Sequence, residues 1–181
     1  MRNLKVPYTL ILLLVTITAS AQHMYMTVGA NLVIPTSSGL KMDAGTGFGG
    51  SLGLETTLGK HINGIATVQY LSFADIETSD RISNFKAVPI QIGIKYYATS
   101  KPYAATGLFF SAETGIMPTT LKFKYESGIP DYKYTEMGFT LAPGLGYQLG
   151  RAEAGFRTLF NLTSSGFDVY YLDFRLAYRF F

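Results

Sequence analysis

Every second residue along this chain falls on one of two unlike faces. The last twelve residues show it best. Tyr170, Leu172, Phe174, Leu176, Tyr178 and Phe180 are all large and apolar or aromatic, whereas Tyr171, Asp173, Arg175, Ala177 and Arg179 carry three charges. A period of two marks a β-strand whose sides meet different surroundings. The same alternation predicts seven earlier strands, at about 25–34, 47–58, 65–74, 86–97, 103–116, 137–149 and 152–163. The third is the least regular: both of its sides are mixed, and a bulge can switch parity.

The connections alternate in length. A polar loop runs over 35–45, a short turn over 59–64, and a loop with Asp75, Glu77, Asp80 and Arg81 over 75–84. Short turns follow at 99–102 and 150–151, with the longest connection between them at about 117–136 and a modest loop at 164–167. Neighbouring strands then pair as a meander of hairpins. Each strand has about ten to twelve residues, near the roughly 9–11 that a tilted strand needs to cross a bilayer.

Residue size assigns the faces. One side carries Leu, Ile, Val, Phe and Tyr. The other carries Gly, Ala, Ser and Thr, punctuated by Glu55, Lys95, Glu113, Glu153, Arg157, Asp173, Arg175 and Arg179. An eight-stranded barrel has just enough interior for side chains to fill, so the small and charged side is expected inside. The large apolar side then faces out, which lipid accepts and water does not. Closure also satisfies every backbone N–H and C=O, as a membrane demands. The expected fold is all-β: an eight-stranded antiparallel up-and-down transmembrane β-barrel. A soluble lipocalin-like periplasmic binder is the alternative, with its large apolar residues turned inward.

Composition supports a β protein with many turns: 19 Gly, 13 Tyr and 13 Phe in 181 residues. The first 21 residues stand apart. Arg2 and Lys5 precede an apolar core centred on 10–15, and Ala19 and Ala21 form an A-x-A arrangement. This predicts a cleaved signal peptide over 1–21 and a mature barrel domain over 22–181. With Arg2 and Lys5 removed, thirteen basic residues face twelve acidic ones. No basic block points to nucleic acid. The chain has no Cys, hence no disulfide framework and no lipid attached at a Cys.

The signal peptide, the Gly-rich strands and the ending Tyr178-Arg179-Phe180-Phe181 resemble the small bacterial outer-membrane β-barrel family of the OmpA-transmembrane and OmpX type. Gln22 at the expected mature start, with the segment Val88-Pro89-Ile90 to Lys95-Tyr96-Tyr97, looks like versions from the Bacteroidota. The resemblance spans the whole mature chain and implies a monomeric barrel in the outer membrane with both termini periplasmic. It also implies that the closing strand is read by the barrel-assembly machinery, with Tyr178, Phe180 and Phe181 as the signal and Phe180 favoured by its outward parity.

Four groups of residues can carry function. The eight interior charges are costly unless paired, so they are expected to form a network filling the lumen, or else to line a narrow porin-like channel. Tyr96, Tyr97, Tyr103, Tyr147, Tyr178 and Phe180 cluster at the short-turn end as candidates for an interfacial girdle. An enzyme of the lipid-editing kind needs a His with a nucleophile and a carboxylate. Only His23 and His61 exist, neither so placed, and no catalytic, metal or cofactor site is expected. The long connection alternates aromatic with basic residues in Lys122-Phe123-Lys124-Tyr125 and Tyr132-Lys133-Tyr134. Folded about 127–130, it pairs Tyr125 with Tyr132, Phe123 with Tyr134 and Lys124 with Lys133 as a projecting hairpin. That hairpin can meet an extracellular protein partner by strand addition, or its lysines can meet the phosphates of membrane lipopolysaccharide.

Overall fold

The computed structural model describes residues 24–37, 44–78, 81–98, 106–125, 132–163 and 168–180. The expected signal peptide, His23, Tyr103, Phe181 and the tip at 126–131 lie outside them. The strands are β1 Met24–Pro35, β2 Gly47–Thr57, β3 Ile62–Phe73, β4 Ile76–Thr78, β5 Arg81–Ala87, β6 Ile90–Tyr97, β7 Thr106–Tyr125, β8 Tyr132–Leu149, β9 Ala152–Leu162 and β10 Val169–Phe180. All pairings are antiparallel, and β1 pairs with both β2 and β10, which closes the sheet into a barrel.

The ten strands make eight staves: β3 and β4 follow one another along β5 as one, and β5 and β6 make another. β5 and β6 share one continuous register against β7, from Arg81↔Tyr125 through Ile90↔Ile116 to Tyr97↔Phe109. They form a single long stave interrupted at Val88-Pro89, where proline has no N–H to donate. The interruption is bridged by Val88 N–H to the Pro118 oxygen and Gln69 N–H to the Pro89 oxygen, both at 3.0 Å. The expected loop over 75–84 is instead the short hairpin β4–β5.

Parity follows the size rule. Phe48, Leu52, Ile92, Phe139, Leu149 and Leu176 are among the exposed residues, while all eight expected interior charges point inward. β3 needs no bulge: Asn63, Ile65, Thr67, Gln69, Leu71 and Phe73 are all buried in strict alternation. Its inner side reads as mixed because the lumen itself changes chemistry along the barrel. Toward the long connections the inside is apolar, with Val33, Leu71, Phe73, Phe85, Met117, Leu121, Leu159, Val169 and Tyr171 packed as one cluster. The small-and-charged interior expected from sequence therefore holds only for the lower part.

Two further expectations are corrected. Tyr97 is no girdle residue: it is 1% exposed and lies inside the barrel, since its odd position shares the parity of Lys95. The connection expected over 117–136 is mostly strand, β7 and β8 running to Tyr125 and from Tyr132. Its register is shifted by two residues: Phe123 faces Tyr132, Leu121 faces Tyr134 and Lys122 faces Lys133. The ladder that begins at Thr106↔Leu149 continues without a break, so the barrel wall sets the pairing and the turn has to accommodate it.

Candidate functional site

Three of the interior charges, and one amide among their partners, face glycines on a neighbouring stave. Arg157 sits opposite Gly144, Arg175 opposite Gly155, Glu113 opposite Gly93 and Gln91 opposite Gly115. An added Cβ would meet the Arg157 Cβ at Gly144 and neighbouring backbone at Gly93, Gly115 and Gly155, so these glycines let adjacent staves approach closely.

Among the described residues, six ion pairs join the eight charges in two connected groups. In the lower group Lys95 Nζ donates to Glu55 Oε2 at 3.0 Å and to Glu153 Oε2 at 2.7 Å. Arg175 Nη2 donates to Glu153 Oε1 at 2.7 Å, and Arg179 Nη2 to Glu55 Oε1 at 3.0 Å. Tyr97 completes it, its hydroxyl donating to Glu55 Oε1 at 2.7 Å and accepting from Arg179 Nη2 at 2.6 Å. Gln148 accepts from Arg179, Asn63 donates to Glu55, and Lys95 Nζ lies 4.5 Å from the centre of the Phe109 ring.

The second group lies above it. Arg157 Nε donates to Asp173 Oδ2 at 2.8 Å, and Nη1 to Glu113 Oε1 at 2.7 Å and to Gln91 Oε1 at 3.1 Å. Asn31 and Gln69 donate to the two oxygens of Asp173, and Thr67 to Glu113. The four acids balance the four bases. The lower group has one base in excess and the upper group one acid. A cavity of about 20 Å³ lies among Lys95, Glu113, Glu153, Arg157, Asp173 and Arg175, room for about one water. The neutral partners Asn31, Asn63, Thr67, Gln69, Gln91 and Gln148 were not singled out from sequence. Asn31, Gln91 and Gln148 carried a signal, as polar residues at inward parity in expected strands; Asn63 fell in an expected turn, and Thr67 and Gln69 in the strand whose sides are mixed.

Above both groups the apolar cluster closes the lumen. Phe73 packs edge-on against Phe85 and Tyr171, with ring centres 5.0 and 5.7 Å apart. Tyr171 donates its hydroxyl to the Met117 sulfur.

Beyond the rung Phe139↔Leu162, β9 ends and β8 continues alone with β7. β4, β5, β7 and β8 thus form a sheet that projects past the barrel. Phe123 and Tyr132 stack on the side continuous with the lumen, their centres 6.4 Å apart. Lys122, Lys124 and Lys133 are exposed on the opposite side. The sheet thus holds the residues expected to meet a partner, apart from Tyr125, whose side chain is not described.

At the other end Tyr178 and Phe180 are outward and pack edge-on, with ring centres 5.0 Å apart. Tyr96 and Tyr147 are also outward. His61 lies beside β3, its Nδ1 3.0 Å from the Tyr97 carbonyl oxygen.

A closed antiparallel barrel with an apolar exterior and a filled polar interior defines an integral outer-membrane β-barrel. The chain belongs to the outer membrane protein beta-barrel domain family, whose profile matches residues 9–180. Solved structures share its fold. Ail, the attachment invasion locus protein of Yersinia pestis, superposes with a TM-score of 0.62 at 13% identity, covering 87% of this chain and 97% of that one. Neisserial surface protein A gives 0.56 at 14% identity over 86% and 95% of the two chains. The N-terminal barrel of Pseudomonas aeruginosa OprF gives 0.50 at 12% over 86% and 97%. No curated protein matches the sequence.

Proposed function

We propose that this outer-membrane barrel is a non-enzymatic, monomeric surface-interaction protein that works through its projecting sheet. The observation that carries the reading is the ladder of β7 and β8, which continues to Phe123↔Tyr132 after β9 has ended at Leu162. Among the described residues, β8 from Tyr132 to Gly138 pairs only with β7. An open edge of that length suits strand addition by an extracellular protein. Ail, described in one structure as bound to the heparin analogue sucrose octasulfate, supports the idea that barrels of this shape present a binding surface.

The lumen argues against a pore. Its charges are consumed by one another, and an apolar layer lies above them. His61 is turned to a backbone oxygen, and the interior carboxylates are ion-paired, which supports the non-enzymatic reading. In the same reading, the outward pair Tyr178 and Phe180, with Phe181 next in the sequence, marks the closing strand for the barrel-assembly machinery.

Deleting residues 120–135 tests the proposal cleanly. Thr119 and Glu136 are direct cross-strand partners, so the cut leaves two strand ends that a short turn can join. The parent and the shortened protein are both expected to insert normally and to stay silent in planar bilayers, and the shortened one to lose the parent's proximity-labelled partners on intact cells. Reproducible unit currents from the parent would favour the channel instead. An unchanged labelling pattern would leave the sheet without a role.

A further inference from the structure

The outward side of the projecting sheet is not the side that offers stacked aromatics. It continues the lipid-facing wall upward, and there the chemistry changes abruptly. On β7 and β8 the apolar wall ends at the rung Pro118↔Met137; the next outward rung is Thr120↔Thr135, and the next is Lys122↔Lys133. Lys86 on β5 lines up with Thr120, and Asn84 with Lys122. Two lysines directly opposite each other on one face destabilise a sheet. None of Lys86, Lys122, Lys124 and Lys133 makes an ion pair among the described residues. Two acids stand near: Asp75 accepts from Asn84, and Glu77 is in the row of Lys124 with Ile82 between them. Among the described residues of this side, the four lysines outnumber those two acids.

Height identifies what they meet. At about 3.3 Å per residue and a tilt near 40°, Lys86 stands about 5 Å above the last apolar rung and Lys122 and Lys133 about 10 Å above it. The polar layer of a bilayer leaflet is roughly 5–7 Å deep, and lysine side chains reach back toward such an interface. The basic rungs thus stand at and just above the outer edge of that layer, and lysines reaching back meet its headgroup phosphates.

We propose that Lys86, Lys122 and Lys133 form a binding site for the phosphate groups of outer-leaflet lipopolysaccharide, holding the projecting sheet against the membrane surface. The proposal rests on the chain being an outer-membrane barrel with this sheet, and it assigns the sheet's second face. Anionic headgroups supply the counter-charge that Lys122 and Lys133 lack among the described residues, and each lysine near such a surface strengthens binding by roughly fivefold.

The test titrates the full chain in neutral detergent micelles with lipopolysaccharide, reading the thermal unfolding midpoint. Phosphate-bearing lipopolysaccharide is expected to raise the midpoint saturably, and less so at high salt. Dephosphorylated lipopolysaccharide should not. The variant K122Q/K133Q should need roughly ten- to thirtyfold more lipid for the same rise, whereas K122R/K133R should behave like the parent. An equal response to dephosphorylated lipid, or a parent-like K122Q/K133Q, overturns the proposal. So does a rise produced by a soluble sulfated saccharide but not by lipopolysaccharide. Heat-modifiable mobility is scored in every sample: its absence would discredit the barrel itself, while normal mobility with no phosphate dependence discredits only this site.

Discussion

Replacing Arg157 by methionine is expected to destabilise the folded barrel by about 3–5 kcal/mol, the usual cost of removing one partner from a buried ionic group. Arg157 is 4% exposed and bridges two carboxylates from different staves, Glu113 on β7 and Asp173 on β10. Without it, among the described residues, Asp173 keeps as hydrogen-bond donors the amides of Asn31 and Gln69, and Glu113 the hydroxyl of Thr67. Two negative charges would then face the same narrow lumen. The triple variant R157M/E113Q/D173N removes the whole charged set and should recover most of the loss, because neutral groups of similar volume avoid the desolvation cost. Urea titration of tyrosine fluorescence in micelles, with heat-modifiable mobility as a fold marker, measures both. A change below about 1 kcal/mol in R157M would mean that the network contributes no more than an exposed pair does.

The second large effect is expected at Gly93 and Gly115. A Cβ on Gly93 would run into the Ala112 carbonyl oxygen and lie 2.7 Å from the Glu113 Cα. On Gly115 it would strike the Ile90 oxygen and lie 2.8 Å from the Gln91 Cα. These neighbours are backbone, so no side-chain rotation relieves the clash; β6 and β7 have to separate. Overpacking commonly costs about 1–3 kcal/mol, and G93A or G115A should reach or exceed the top of that range. Gly50 is the control, since its added Cβ would meet only the Gly29 oxygen, at 3.8 Å; G50A should stay within about 0.5 kcal/mol of the parent. If all three variants unfold at the same urea concentration, the close approach of β6 and β7 is not what those glycines serve.

Much of this architecture was legible from alternation alone. Phe48, Leu52 and Leu54 against Gly49, Ser51 and Glu55 already state which way β2 faces, because residue size separates lipid from lumen. The eight inward charges were legible for the same reason. Their partners were not, since Arg157 and Glu113 are 44 residues apart and meet only through closure. The apolar upper lumen was hidden because Val33, Leu71 and Leu159 break the small-inside rule, and a strand pattern cannot say at which height the rule lapses. Tyr97 shared its parity with Lys95, yet its position beside a turn suggested an interface. The hairpin register was misplaced by two residues because it was inferred from the turn, whereas the ladder rising from Leu149 decides it.

The network of interior charges also bears on time. Several of its contacts span nearly the whole chain: Asn31 to Asp173 over 142 residues, and Glu55 to Arg179 over 124. They exist only once β10 has docked against β1, and joining the chain's two ends is a late and entropically costly event. Contacts made after the rate-limiting step act on unfolding rather than on folding. Weakening the seam, as in R179M, should therefore quicken opening in micelles while leaving the refolding rate nearly unchanged. A slowed refolding limb would show instead that the seam forms early. On this view the interior charges act as a latch, fixing how long a barrel lasts once it has closed.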